Sequence, residues 1–131
     1  MKYLSDYTKE KTTNLLNECN AFFAFSTSQF EESKKEGIKY VNLQAGLICD
    51  KTKVKDYLNG LDQIYKEAIA QDIKENGLDK IIARELWNYE SFYMMDYSDA
   101  IAALKGYGVT EQKVKEIFEI ELTIAIEKDL I

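Results

Sequence analysis

Trp87, Tyr89, Phe92, Tyr93 and Tyr97 fall within eleven residues, with Met94 and Met95 between them. Glu90, Asp96 and Asp99 stand among and just beyond them. Aromatic rings and thioethers offer adaptable apolar contact, and carboxylates around them add a field that attracts cations. The chemistry open to such a set is recognition of a partner surface. Trp87, Tyr93 and Tyr97 would anchor it, Met94 and Met95 would fill it, and Glu90, Asp96 and Asp99 would form its acidic rim. A plainer reading puts Tyr89 and Phe92 in a core, Trp87 and Tyr93 half in, and the acids in solvent. The run Phe92-Tyr93-Met94-Met95 weighs against that reading. Four large apolar residues in succession cannot all face one core from a helix, so at least one is expected at the surface. On a continuous helix Glu85 and Glu90 lie about 140° apart, too far round to act as paired carboxylates unless the helix breaks.

Bond-making chemistry finds little material. Histidine is absent, which removes the commonest general base, the commonest metal ligand and the usual partner of a nucleophilic Ser or Cys. No GxxxxGK[ST] or GxGxxG occurs. Catalysis would be restricted to paired carboxylates or an oxygen-ligated Mg or Mn centre. Tyr57, Asp62, Tyr65 and Lys66 share one helical segment, but Asp62 and Lys66 are an ordinary i,i+4 pair. No catalytic residue, metal ligand or cofactor is expected. Cys19 and Cys49 lack CxxC spacing and read as small buried hydrophobes in a reducing cytosol.

Charge is unevenly distributed. Residues 1–84 carry 13 acids and 13 bases; residues 85–131 carry 10 acids and 4 bases, the whole of the chain's −6. The C-terminal acids Glu111, Glu116, Glu119, Glu121 and Glu127 are spread round several helix faces, which suits a solvated helix better than a mimic of a phosphate row. Two small basic clusters, Lys34/Lys35/Lys39 and Lys51/Lys53/Lys55, do not outweigh that total, so direct nucleic-acid binding is not expected. A nucleotide-type ligand would need Arg84, Lys80 and Lys39 for its phosphates. Arg84 is the chain's one arginine.

The elements that must position these residues follow from spacing and caps. A helix is expected over 6–19, then a buried strand at 21–25. Ser28-Gln29-Phe30-Glu31 has capping-box form and opens a short helix that Gly37 closes. Strands at 38–43 and 47–49 can pair as a hairpin across Gly46. Asp50 caps a long helix over about 52–75, whose apolar residues recur in steps of three and four. Gly60 within it suggests close packing against the sheet. Further helices are expected over 79–93, with Tyr89 and Phe92 inward, over 98–104, and over 111–128 with Thr110 as cap. That makes five to six helices and a small sheet of about three strands: an α+β, helix-rich single domain, 1–131. The N-terminal stretch Met1–Asp6 turns polar before a signal segment could form, and no apolar run is long enough to span a membrane.

Ala21–Ser33 (AFFAFSTSQFEES), Lys39–Asp50 (KYVNLQAGLICD) and Glu85–Phe92 (ELWNYESF) resemble a family of small uncharacterised proteins carried by bacteriophages, prophages and other mobile elements. The likeness spans nearly the full length but carries no catalytic signature. It implies a phage-type accessory protein made in the cytoplasm of a bacterial host. By analogy with other small acidic phage proteins, the expected function is stoichiometric inhibition of a host defence system, in the manner of an anti-CRISPR protein. The partner would be a host protein with a basic surface, such as a defence nuclease. A nucleotide-type sponge and a structural protein that pairs with itself, as a homodimer, are the alternatives.

Overall fold

A computed structural model describes all residues, Met1–Ile131. The fold is α+β and helix-rich, with seven α-helices and one three-stranded antiparallel sheet. The chain divides into two compact units, residues 2–68 and residues 69–131, the latter with Met1. No helix is long and apolar enough to cross a membrane.

The first unit holds α1 (Leu4–Glu18), β1 (Phe22–Phe23), α2 (Thr27–Ser33), β2 (Tyr40–Asn42), β3 (Leu47–Asp50) and the first four turns of α3 (Val54–Asn76). The sheet order is β1-β3-β2. β2 and β3 form the expected hairpin, with Val41 opposite Cys49. Ala45 (φ 50°) and Gly46 (φ 79°) sit at its tip, the paired positive φ values that a type I′ turn requires. β3 is buried along its whole length because both neighbours shield it. Leu15, Cys19, Ala21, Leu47, Cys49 and Tyr57 form the core beneath it, and both cysteines are free thiols.

Three sequence expectations are corrected here. β1 is two residues long, not five, because the next helix begins early. Its cap is Ser26, whose Oγ accepts from the Gln29 amide, while the Gln29 side chain accepts from the Phe25 amide. That capping pair lies two residues upstream of the expected Ser28–Glu31 box, and it takes Phe25 out of the strand. Gly60 does mark a close approach, but against α1. A Cβ there would stand 2.7 Å from Leu15 Cδ1.

The second unit continues α3 and adds α4 (Leu78–Asn88), α5 (Ser91–Met94), α6 (Ser98–Ala103) and α7 (Glu111–Glu127). Asp50 caps a single 3₁₀ turn (Lys51–Lys53) that leads into α3, and Thr110 caps α7 as its hydroxyl accepts from Lys113. The expected helix over 79–93 is instead two helices. The break falls at Tyr89–Glu90, where Glu90 adopts a left-handed conformation (φ 53°). Six expected helices therefore become seven. Ile81, Ile82, Leu86, Phe92, Leu104, Val114 and Phe118 form the core of this unit. Ile126, which helical spacing places on the apolar stripe of α7, is 58% exposed; it is the penultimate residue of the helix, which ends at Glu127.

Candidate functional site

The break after α4 decides what the aromatic cluster can do. Trp87, in the last turn of α4, is half-buried. Its ring meets that of Phe92 at 4.4 Å between centroids, and its Nε1 donates to the Glu121 carboxylate at 3.4 Å. Phe92 is stacked on Phe118 at 5.2 Å with the planes 3° apart. Tyr97, half-buried, also meets Phe118, at 5.2 Å between centroids. These four rings make a floor, continuous with the core of the second unit.

Tyr93, Met94 and Met95 stand off that floor, 61%, 70% and 64% exposed. Tyr93 Oη donates to the Leu130 carbonyl at 3.0 Å, which holds its ring in one orientation. Glu90, Asp96 and Asp99 are exposed beside them. The Asp96 carboxylate accepts from the Ser98 hydroxyl and amide, and these bonds hold its carboxyl below the ordinary carboxylate range. Asp96 is therefore held in its charged form. All eight residues singled out by sequence lie between the end of α4 and the start of α6. Six are at the surface, whereas Trp87 and Tyr97 support from beneath. Tyr89, expected inward, is 42% exposed because it falls at the helix break.

The backbone of this shelf is unusual. Glu90 and Met95, both left-handed (φ 53° and 50°), bracket the four-residue α5. A side chain with a Cβ costs on the order of 1 kcal/mol at such a position. The hydroxyl of Ser91, fully buried, has no hydrogen-bond partner. Strain and an unsatisfied polar group are concentrated in the segment that presents the exposed residues.

A second polar cluster lies in the same unit and was not anticipated. Asp72, in the last turns of α3, is completely buried. Its carboxylate accepts from Arg84 Nη1 and Nη2 at 2.9 and 3.0 Å, from Asn76 Nδ2 at 2.8 Å and from Tyr107 Oη at 2.5 Å. Arg84 Nε donates to Glu85 Oε1 at 2.8 Å. Tyr107 is delivered by the Gly106–Gly108 loop. Gly106 takes φ 101°, and a Cβ there would press on Ile69 of α3 at 3.3 Å. Burial alone would raise the Asp72 pKa, but the donors around it and the Arg84 charge more than offset this and hold it below its ordinary value. Burial likewise opposes the Arg84 charge, and its bonds to Asp72, Glu85 and Tyr107 override it. The Tyr107 phenol is pushed up by burial and by its bond to Asp72, so it remains the donor.

This cluster is a clamp rather than a ligand site. Every polar group named is turned onto another, and Arg84 is 7% exposed. The arginine that a phosphate-binding pocket would need is thus committed to two carboxylates. Sequence carried one clue to it. Every other base of the chain is lysine, and arginine is the cation whose planar fork suits a buried carboxylate. Elsewhere, no three His, Cys, Asp or Glu side chains converge as metal ligands would.

The molecule so defined is a small α+β protein with a locked ionic clamp and an exposed, strained, acidic–aromatic shelf. It belongs to a family of unknown function, DUF7659, matched over residues 4–127. No curated protein and no solved structure matches it.

Proposed function

We propose that the chain is a stoichiometric binding protein that docks on a basic protein surface through Glu90, Tyr93, Met94, Met95, Asp96 and Asp99. Trp87 and Tyr97 hold the shelf in shape from below. The observation that carries this reading is the exposure of three consecutive large side chains, Tyr93 to Met95, in a segment bounded by two strained residues. Such a run is costly to present to water unless a partner covers it. The rim acids and the net −6 of the second half set the sign of that partner.

The finer reading names its class. Likeness to proteins of phages and mobile elements supports a host defence protein as target, and a nuclease's nucleic-acid groove is a ready basic surface. The protein would then be an anti-defence inhibitor of the anti-CRISPR kind, acting in the bacterial cytoplasm. A nucleotide sponge is disfavoured by the commitment of Arg84 to Asp72 and Glu85.

The test is capture from a lysate of the bacterium that carries the sequence, at low and moderate salt, with mass spectrometry of what is retained. A defence protein retained at low salt and lost with Met94→Asp supports the proposal. Retention unaffected by Met94→Asp and by Tyr93→Ala in folded variants removes the shelf from it.

A further inference from the structure

A hollow of about 500 Å³ opens in the first unit, between α3 and the end of the β2–β3 hairpin. Leu58 and Leu61 line it from α3, Leu43 and Leu47 from the hairpin, and Phe23 from β1. The Leu43 amide donates to the Leu47 carbonyl at 2.8 Å, and the Leu47 amide to the Gln44 carbonyl at 2.9 Å. Backbone bonds of the turn therefore hold that wall in place. Sites for small organic ligands measure roughly 300–1,000 Å³ and are mostly apolar, with a few polar groups that fix orientation. This hollow has that size and that lining.

Tyr57 completes the wall. It is only 7% exposed, yet its hydroxyl makes no hydrogen bond within the chain. That oxygen is not sealed in either, since Ser91 carries the one fully buried side-chain oxygen without a partner. Burial pushes the Tyr57 phenol up, so it keeps its proton and is free to donate. A donor held this deep is costly to leave unpaired, and no group of the protein takes its bond. The lining carries no charge. Gln44, its other polar side chain, is exposed. An ion entering here would give up its water and meet no counter-charge.

We infer that this hollow binds a small, neutral, largely apolar ligand whose one polar group is a carbonyl accepting from Tyr57 Oη. Phe23 and the four leucines take the body of the ligand out of water. The uncharged lining selects against ionised acids and amines. The site lies wholly within residues 2–68 and shares no residue with the shelf, so it stands or falls apart from docking through Tyr93–Met95.

Titration of the full chain with N-phenylnaphthylamine, a neutral dye that brightens in apolar surroundings, tests this. Saturable binding is expected for the wild type and for Met94→Asp. It should be lost in Leu58→Asp, which sets a carboxylate at the exposed edge of the hollow, where Leu58 is 53% exposed, and leaves the circular-dichroism spectrum unchanged. Propiophenone and propylbenzene, alike in shape but for the carbonyl, should both displace the dye; hydrocinnamate, a carboxylate, should not. Tyr57→Phe should weaken propiophenone by about threefold to tenfold and leave propylbenzene as it was. A wild type that takes up no dye overturns the proposal, as does binding that survives in Leu58→Asp. Binding lost with Met94→Asp would place the dye on the shelf and also overturn it. Should Leu58→Asp fail to fold, Tyr57→Phe decides, and an equal effect on the two fragments overturns the proposal.

Discussion

Asp72 shows what a single residue does in this molecule. Four donors converge on one fully buried carboxylate, and removing the charge leaves the buried Arg84 with Glu85 as its one carboxylate partner. Asp72→Asn is expected to cost about 3–5 kcal/mol, the range for breaking one side of a buried pair, read as a lower midpoint in urea. Tyr107→Phe removes one bond to a charged acceptor and should cost about 1.5–3 kcal/mol by the same measurement. The direction of the pH dependence follows from the lowered Asp72 pKa. In the unfolded chain this carboxyl returns to its ordinary value near 3.8, so below it the unfolded state binds the proton that the folded state resists. The contribution of Asp72 is therefore complete above about pH 5 and is lost as pH falls through 4 and below. Thermal melts from pH 7 to pH 3 should show a steeper acid loss for the wild type than for Asp72→Asn. Parallel curves would mean that this carboxylate is not what the clamp depends on.

Among the elements, caps were readable and breaks were not. Asp50 and Thr110 announce their helices because a short polar side chain before an apolar period has one good use. The same logic found a capping signal near α2 but chose Ser28 over Ser26, since several Ser and Thr residues compete there and only packing selects one. The interruption at Tyr89–Glu90 had no such sign. Left-handed turns favour glycine or asparagine, and here they fall on glutamate and methionine, so 79–93 read as continuous. The shelf was legible as composition, from its rings, thioethers and acids. Which residues it exposes was not, because exposure depends on that hidden break. The clamp was less legible still, since Asp72 sits 12 residues from Arg84 and Tyr107 a further 23 away in the chain. The unusual turns carry their own prediction. Met95→Gly relieves a left-handed methionine and should stabilise the fold by about 1 kcal/mol. The same change removes a side chain 64% exposed on the shelf and should weaken partner capture. A gain in melting temperature together with loss of capture would show that the strain serves presentation; loss of both would show that Met95 is an ordinary structural residue.

Across the whole molecule, charge separates the two halves more sharply than fold does. Residues 2–68 are neutral in sum, and residues 69–131 carry the −6. Like charges confined to about sixty residues repel one another, and salt relieves that repulsion as the screening length falls from about 30 Å at 0.01 M to about 8 Å at 0.15 M. The buried Arg84–Asp72 pair is shielded from ions, so the salt response comes from the exposed acids. Melting temperature should therefore rise over that interval of sodium chloride. Glu116→Gln combined with Glu127→Gln lowers the charge of residues 69–131 from −6 to −4, and both side chains are exposed and off the shelf. This variant should melt higher than the wild type at low salt and respond less to added salt; equal curves would mean that the excess charge is already neutralised locally. The same two acids belong to the long-range field but not to the contact, so with a basic partner in hand their effect should fall on one rate only. Association at low salt should slow severalfold, while dissociation, set by Tyr93, Met94 and Met95, stays as it was. A change confined to dissociation would place Glu116 or Glu127 inside the interface and move its centre from the shelf onto α7.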